Sequence, residues 1–395
     1  MNLSIKKIVL VLLLSFGMAN SQTLIPYYKT VADQCSQANI TSNLAQFESY
    51  GIKTRGTASL ENTLNWLKAK YLSYGYTAAQ IEEDPFTYSG SLAVCKNLVI
   101  TKIGTLHPNK FVIIDAHYDS RTGKGTNDNG SGVSIILEVA RLLQNIPTEC
   151  SIKFINFSGE EEGFYGSQHY VDAVVNATNP KMDIKLVFNI DEVGGTAGAV
   201  NTAITCEHDT GSPTANNAAS DLVTNELINC VGLYSPLQTY LSYAYGSDYM
   251  PFEANLEVIT GFFERNESVH RHKSTDLLVN MDPVYVFKIA KAAIGATMHF
   301  ATASTTLKNE TFENDFNVSF FPNPTKDTLN INLGSLPEIK YMFSLVDVNG
   351  KTVLKKQIDN AKLIEQIAIS EFAKGVYLGI LEAGEKRITK KVVIE

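Results

Sequence analysis

Three short apolar runs constrain this chain more than anything else in it. Residues 111–114, 152–157 and 186–190 are rich in Val, Ile, Leu and Phe, and their length suits strands buried on both faces. Between the first two runs, Val133, Ile136, Leu137 and Ala140 recur at helical spacing across residues 133–143. Just ahead of that stretch, Asn129 and Ser131 flank Gly130 and offer caps for a helix start. Strands alternating with amphipathic helices predict an α/β chain. The expected architecture is a three-layer α/β/α sandwich with a mixed, mostly parallel central sheet. In such sheets the chemistry gathers at the carboxyl ends of the strands.

The two ends of the chain read differently. Lys6 and Lys7 precede an apolar run over residues 8–18, and Ala19-Asn20-Ser21 supplies small residues for a cleavage site. That pattern predicts a signal peptide over residues 1–21, whose apolar run is too short to span a bilayer, which needs about 20 residues. No other segment reads as a transmembrane anchor. The α/β body is expected over 22–303, a linker over 304–316 and a small β-sandwich over 317–395. Short β-prone runs with turn residues mark the tail, Asn349-Gly350 among them.

Bulk charge narrows the partners. A formal net charge of −8 lacks the basic excess that a phosphate backbone requires, so no nucleic-acid partner is expected. The five cysteines, Cys35, Cys95, Cys150, Cys206 and Cys230, show no C-x-x-C spacing, which excludes a thiolate zinc site of the structural kind. An export route permits disulfides, and Cys206 with Cys230 is the expected pair.

Five segments place His, Asp or Glu at or near predicted strand ends. His117 and Asp119 follow the first apolar run; Asp128 sits in a turn opening a helix; Glu160, Glu161 and Glu162 follow the second run. Asp191 and Glu192 follow the third, and His270, His272 and Asp276 follow an apolar stretch at 258–263. Taken singly, Asp128 reads as a helix cap and the acidic triplet as a solvated surface run. Together they form an all-N/O donor set, which suits zinc best and cobalt or manganese next. His299 sits in a long apolar helical run and reads as a packing residue.

The order His-x-Asp, Asp-Asn-Gly-Ser-Gly, Glu-Glu-x-Gly-x-x-Gly-Ser, Asp and His-x-x-x-Asp resembles the co-catalytic di-zinc aminopeptidases of the bacterial leucyl aminopeptidase type. That group also holds glutamate carboxypeptidases and glutaminyl cyclases. The resemblance covers roughly residues 40–300 and implies two Zn2+ ions. His117 and Asp191 would hold one, Glu161 and His272 the other, with Asp128 bridging. Glu160 would be the general base for a metal-activated water, and Asp119 would orient His117. Ser247-Asp248 is similar to a Ser-Asp-His element of the family, with Tyr249 in place of its His; Tyr245 is the expected substrate contact. The implied activity is removal of amino-terminal residues from peptides. The alternative on the same scaffold is a glutaminyl cyclase-like acyltransferase with a single zinc.

The tail resembles the type IX secretion sorting domain through Phe321-Pro322-Asn323-Pro324, Asp347-Val348-Asn349-Gly350-Lys351, Gly375-Val376-Tyr377 and Lys390-Lys391-Val392-Val393-Ile394. That resemblance implies export through the periplasm and across the outer membrane by the type IX machinery, to a secreted or cell-surface location, with removal of the tail.

Overall fold

The computed structural model describes residues 22–88, 90, 92–305, 318–333, 340–348, 350–359, 363–383 and 386–395. The expected signal peptide, most of the expected linker and Asn349 lie outside the described residues. The chain divides into two compact units at Thr305 and Thr306.

In the first unit eight strands form one sheet: β1 (Ile81–Phe86), β2 (Cys95–Lys102), β3 (His107–His117), β4 (Cys150–Phe157), β5 (Asp183–Ile190), β6 (Ala203–His208), β7 (Gln238–Tyr243) and β8 (Ile259–Glu264). Their order is β1-β2-β4-β3-β5-β8-β6-β7. The β4, β3, β5 and β8 strands run parallel, β6 is antiparallel to β8, and β1 and β2 close the other edge antiparallel. The expected mixed, mostly parallel sheet is what the strands form.

Side chains along the central strands divide alternately between two cores, as a pleated strand dictates. Val112, Ile114, Leu186, Phe188 and Ile190 enter the larger core, while Ile113, Ile155, Phe157 and Val187 enter the smaller one. Covering the larger core are helices α1 (Pro26–Ala32), α2 (Gln37–Ser49), α3 (Ala58–Ser73), α4 (Gly130–Leu143), α6 (Asn217–Tyr234) and α8 (Pro283–Phe300). The short helices α5 (Tyr165–Tyr170) and α7 (Met250–Ala254) contribute Tyr170 and Phe252 to the smaller one. Helices therefore flank both faces, which makes three layers.

The helix starts are chemically defined. Ser36 accepts from the Asn39 amide, Thr57 from Leu60, Asn129 from Gly132 and Asp282 from Val284 and Tyr285, each satisfying a donor that has no partner inside its helix. Helix α4 is buried along nearly its whole length, including Glu138. That carboxylate is tolerated because Arg141 and the Ser36 amide hydrogen-bond to it, the latter at 2.7 Å.

All five cysteines are buried free thiols, so the expected Cys206–Cys230 disulfide is not formed. Cys206 on β6 and Cys230 on α6 both pack as small apolar groups in the larger core.

The second unit holds β9 (Ser319–Phe321), β10 (Thr328–Asn332), β11 (Tyr341–Val346), β12 (Thr352–Ile358), β13 (Ile364–Ala368), β14 (Gly375–Ala383) and β15 (Lys386–Ile394). Two antiparallel sheets, β13-β10-β9 and β12-β11-β14-β15, share a core that includes Phe320, Leu329, Phe343, Leu345, Ile367 and Val392. The Asn323 side chain binds this unit's last strand, accepting from the Val393 amide at 2.8 Å and donating to the Lys391 carbonyl at 2.7 Å.

His299 packs as its apolar surroundings suggest. Its Nε2 lies 2.7 Å from the Tyr234 hydroxyl and its ring meets Tyr28 edge-on. Burial pushes its pKa down to about 4 from an ordinary 6.5. Between those values the unfolded chain holds a proton that the folded one refuses, so this residue lowers stability as pH falls from 6.5 toward 4 and contributes nothing above 6.5. His299→Gln should therefore lose less stability than the parent between pH 7 and pH 5 in urea unfolding. Equal losses would reject this account.

Candidate metal centre

The β3→β4 connection runs to one side of β3 and β5 lies on its other side, which leaves a crevice at the carboxyl ends of β4, β3 and β5. His117 is the last residue of β3. Glu160 and Glu161 follow β4, Asp191 follows β5, Asp128 lies in the turn before α4, and His272 lies in the loop after β8. These side chains, far apart in sequence, meet in one crevice.

The turn carrying Asp128 is fixed by its neighbours. Asn127 donates to Glu264 and accepts from the Gly194 amide at 2.6 Å; Ser131 accepts from Val193 at 2.9 Å; Asn129 donates to the Ile190 carbonyl at 2.9 Å. Asp276 accepts from the Asn127 and Asp128 amides at 2.7 and 3.1 Å, joining this turn to the loop that carries His272. Gly132 is where helix and strand touch: a Cβ there would stand 2.2 Å from the Ile190 carbonyl oxygen.

Asp128 stands between two imidazoles. Its Oδ1 is 3.2 Å from His117 Nε2 and its Oδ2 is 3.1 Å from His272 Nε2. Asp191 Oδ1 lies 3.3 Å from His117 Nε2, and Glu161 Oε2 lies 3.2 Å from His272 Nε2. Glu160 Oε2 is 3.8 Å from His117 Nε2. His117, Glu160 and Asp191 offer one donor group suited to a metal; Asp128, Glu161 and His272 offer another; Asp128, Asp191 and Glu192 offer a third. Asp119 lies 3.6 Å from His117 Nδ1 and accepts from the Glu160 and Glu161 amides at 3.3 and 3.4 Å.

The neighbours of these residues go elsewhere. Glu162 turns to Arg55 at 3.3 Å, and His270 Nδ1 faces the Thr275 hydroxyl at 2.9 Å. Ser247 donates to Asp191 Oδ2 at 2.8 Å, and Tyr249 donates to buried Glu207 at 2.7 Å. The crevice opens as a cavity of about 220 Å3 whose wall also includes Glu192, Arg271, Phe164 and Gly246. Tyr245 is not part of that wall. It adjoins Gly246 in sequence, and its half-exposed ring sits beside Tyr243 and Phe263. Sequence reasoning assigned nothing to Arg271, whose Nε lies 2.8 Å from Glu192; its place between His270 and His272 was the available signal.

Electrostatics show what the crevice demands. Burial and neighbouring carboxylates push Glu160 well above the usual carboxylate range, Glu161 up to about 7 and Glu192 up to about 11. Burial disfavours a charged His117, but Glu160 and Asp191 outweigh it and push that imidazole up. Both ring nitrogens of His117, Asp128 Oδ2 and Asp191 Oδ1 are buried without a hydrogen-bond partner among the described residues. Buried polar atoms left this way are costly. Unprotonated nitrogen and carboxylate oxygen converging on common points suit a divalent cation, which takes the place of protons.

Fold and donor cluster together define the class: an α/β scaffold with metal-suited donors gathered at its strand ends. Residues 97–297 match peptidase family M28, and residues 319–395 match the secretion system C-terminal sorting domain. The chain belongs to peptidase family M28. Aminopeptidase YwaD of Bacillus subtilis is 45% identical over 89 residues, 22% of this chain and 19% of that protein. A probable zinc metalloprotease of Pyrenophora teres f. teres is 26% identical over 227 residues, 48% of this chain and 46% of that one. The chain thus spans less than half the length of these curated relatives. The solved LapA aminopeptidase of Legionella pneumophila superposes with a TM-score of 0.61 at 22% identity, over 75% of this chain and 80% of that one, a likeness of fold.

Gly132→Ala should push α4 off β5 and lower stability by about 1–3 kcal/mol, read as a fall in thermal midpoint. An unchanged midpoint would mean that the helix and strand can part at no cost.

Proposed function

We propose that this protein is an exported zinc aminopeptidase with a two-metal centre. One observation carries the reading: the two oxygens of Asp128 face different imidazoles, at 3.2 and 3.1 Å. A carboxylate so placed is suited to bridge two cations. His117 and Asp191 would complete one site, and Glu161 and His272 the other. Bound zinc supplies positive charge to polarise a carbonyl and lowers the pKa of water toward about 7.

The chain's own groups do the rest. Glu160 is buried beside His117 yet faces neither nitrogen closely, which suits a base more than a ligand. It takes a proton from the attacking water at Oε2 and returns it to the departing amine as the C–N bond breaks. Asp119 fixes the start of the Glu160-Glu161 turn through two backbone amides and faces the second nitrogen of His117, orienting both. Ser247 orients Asp191. Tyr245, at the rim beside Gly246, would meet the substrate.

The cavity wall favours a free amino terminus. Asp128, Glu160, Glu161, Asp191 and Glu192 line it, against Arg271 and His272. With zinc held by Asp128, Glu161 and Asp191, Glu192 is the wall carboxylate left to receive an ammonium group. The sorting domain indicates type IX secretion; among the described residues no helix is long and apolar enough to cross a membrane.

Glu160→Gln should keep its zinc while losing about 10²–10⁴-fold in kcat, measured by metal analysis beside peptide hydrolysis. Loss of metal in step with activity would make Glu160 a ligand instead. Peptides with a free amino terminus should be cleaved and their N-acetylated forms spared. Cleavage of the blocked peptides would reject the aminopeptidase reading, and cyclisation of amino-terminal glutamine at one zinc per chain would replace it with the single-zinc alternative.

A further inference from the structure

We infer that residues 47–53, which precede the stretch matching the family, form a clasp that sets the affinity of the second zinc site. Glu48 and Lys53 are its positioning residues. The inference rests on the two-metal reading above.

Glu48, in the last turn of α2, reaches two separate loops. Its Oε2 accepts from the Thr126 hydroxyl at 3.0 Å and from the Leu278 backbone amide. Thr126 stands two residues before Asp128. Leu278 stands two residues after Asp276, which in turn anchors the Asn127 and Asp128 amides. One carboxylate therefore ties the Asp128 loop to the His272 loop from outside the cavity.

Lys53 makes a second tie. Its buried Nζ donates to the carbonyls of Gly51 and Lys124 at 2.9 and 2.6 Å and lies 3.8 Å above the Phe47 ring. Its backbone exchanges hydrogen bonds with Ser120, at 3.0 Å to the hydroxyl and 3.2 Å from the amide. Lys53 thus braces residues 120–124, the approach to Asp128. Phe47 itself abuts the start of α4, since a Cβ on Gly130 would fall 2.7 Å from its ring. Gly123 packs against the His272 loop just as closely, with 2.1 Å from a Cβ to the Lys273 carbonyl.

The clasp acts unequally on the two sites. Asp128 and His272 are two of the three donors in the group that Glu161 completes, and both ride on loops that Glu48 joins. His117 and Asp191 sit at the ends of β3 and β5, held by the sheet itself. Loosening the clasp lets the Asp128–His272 spacing drift while the strand-borne donors stay fixed. Partners that orient metal ligands are typically worth 10–100-fold in affinity.

The test is a zinc titration of the metal-free chain by calorimetry with a competing chelator, on the parent, Glu48→Gln, Lys53→Met and a surface control, Lys29→Ala. The parent and control should take two ions. In Glu48→Gln one zinc should lose about 10–100-fold in affinity and the other, held also by the strand-borne His117 and Asp191, clearly less, and added zinc should restore kcat without moving KM. Lys53→Met should shift the same site in the same direction, and it decides the matter if Glu48→Gln does not fold. Equal weakening of both sites, or no change in either, would overturn the clasp. A parent that binds a single zinc would instead refute the two-metal reading on which it stands.

Discussion

The structure turns on mutual repulsion among carboxylates confined with two imidazoles in one largely buried crevice. Asp128, Glu160, Glu161, Asp191 and Glu192 share that space with His117 and His272. Charges this close and this buried hold together only when protons or cations neutralise them. Most of the surrounding architecture serves to keep them there regardless: a parallel sheet that ends three strands at one level, glycines that let backbones touch, and amide donors that bind carboxylates such as Asp119 and Asp276 from behind.

The central sheet was legible because β3, β4 and β5 each carry a mostly apolar run, and α4 because its apolar residues keep helical spacing next to a capping Asn. β6 and β7 were not, since Ala203–His208 and Gln238–Tyr243 mix Glu, His, Gln and Ser into short strands near the sheet edge, where one exposed side relaxes the pattern. The donor residues were visible through spacing and strand-end position. Which of two adjacent acids or histidines turns inward was not fixed by spacing from first principles. Glu162 goes to Arg55 and His270 to Thr275, contacts that depend on distant loops. Glu48 and Lys53 make their contacts across long separations through ordinary hydrogen bonds, so no local pattern announces them.

One sequence departure has a clear physical outcome. Tyr249, where the family element carries His, is buried with its hydroxyl on Glu207 and accepts from the Tyr245 amide at 3.0 Å. Tyr249 packs in the smaller core, in the segment that presents Ser247 to Asp191. Burial and the Tyr249 contact act on Glu207 in opposite directions, and burial prevails, raising it to about 8.

The cysteines bear on how this protein is made. With Cys35, Cys95, Cys150, Cys206 and Cys230 all buried as thiols, no covalent cross-link holds the peptidase body together. Its maturation needs neither an oxidant nor an isomerase to sort pairings. A passing reductant has nothing to break, and the body's integrity rests on its packing and its hydrogen bonds.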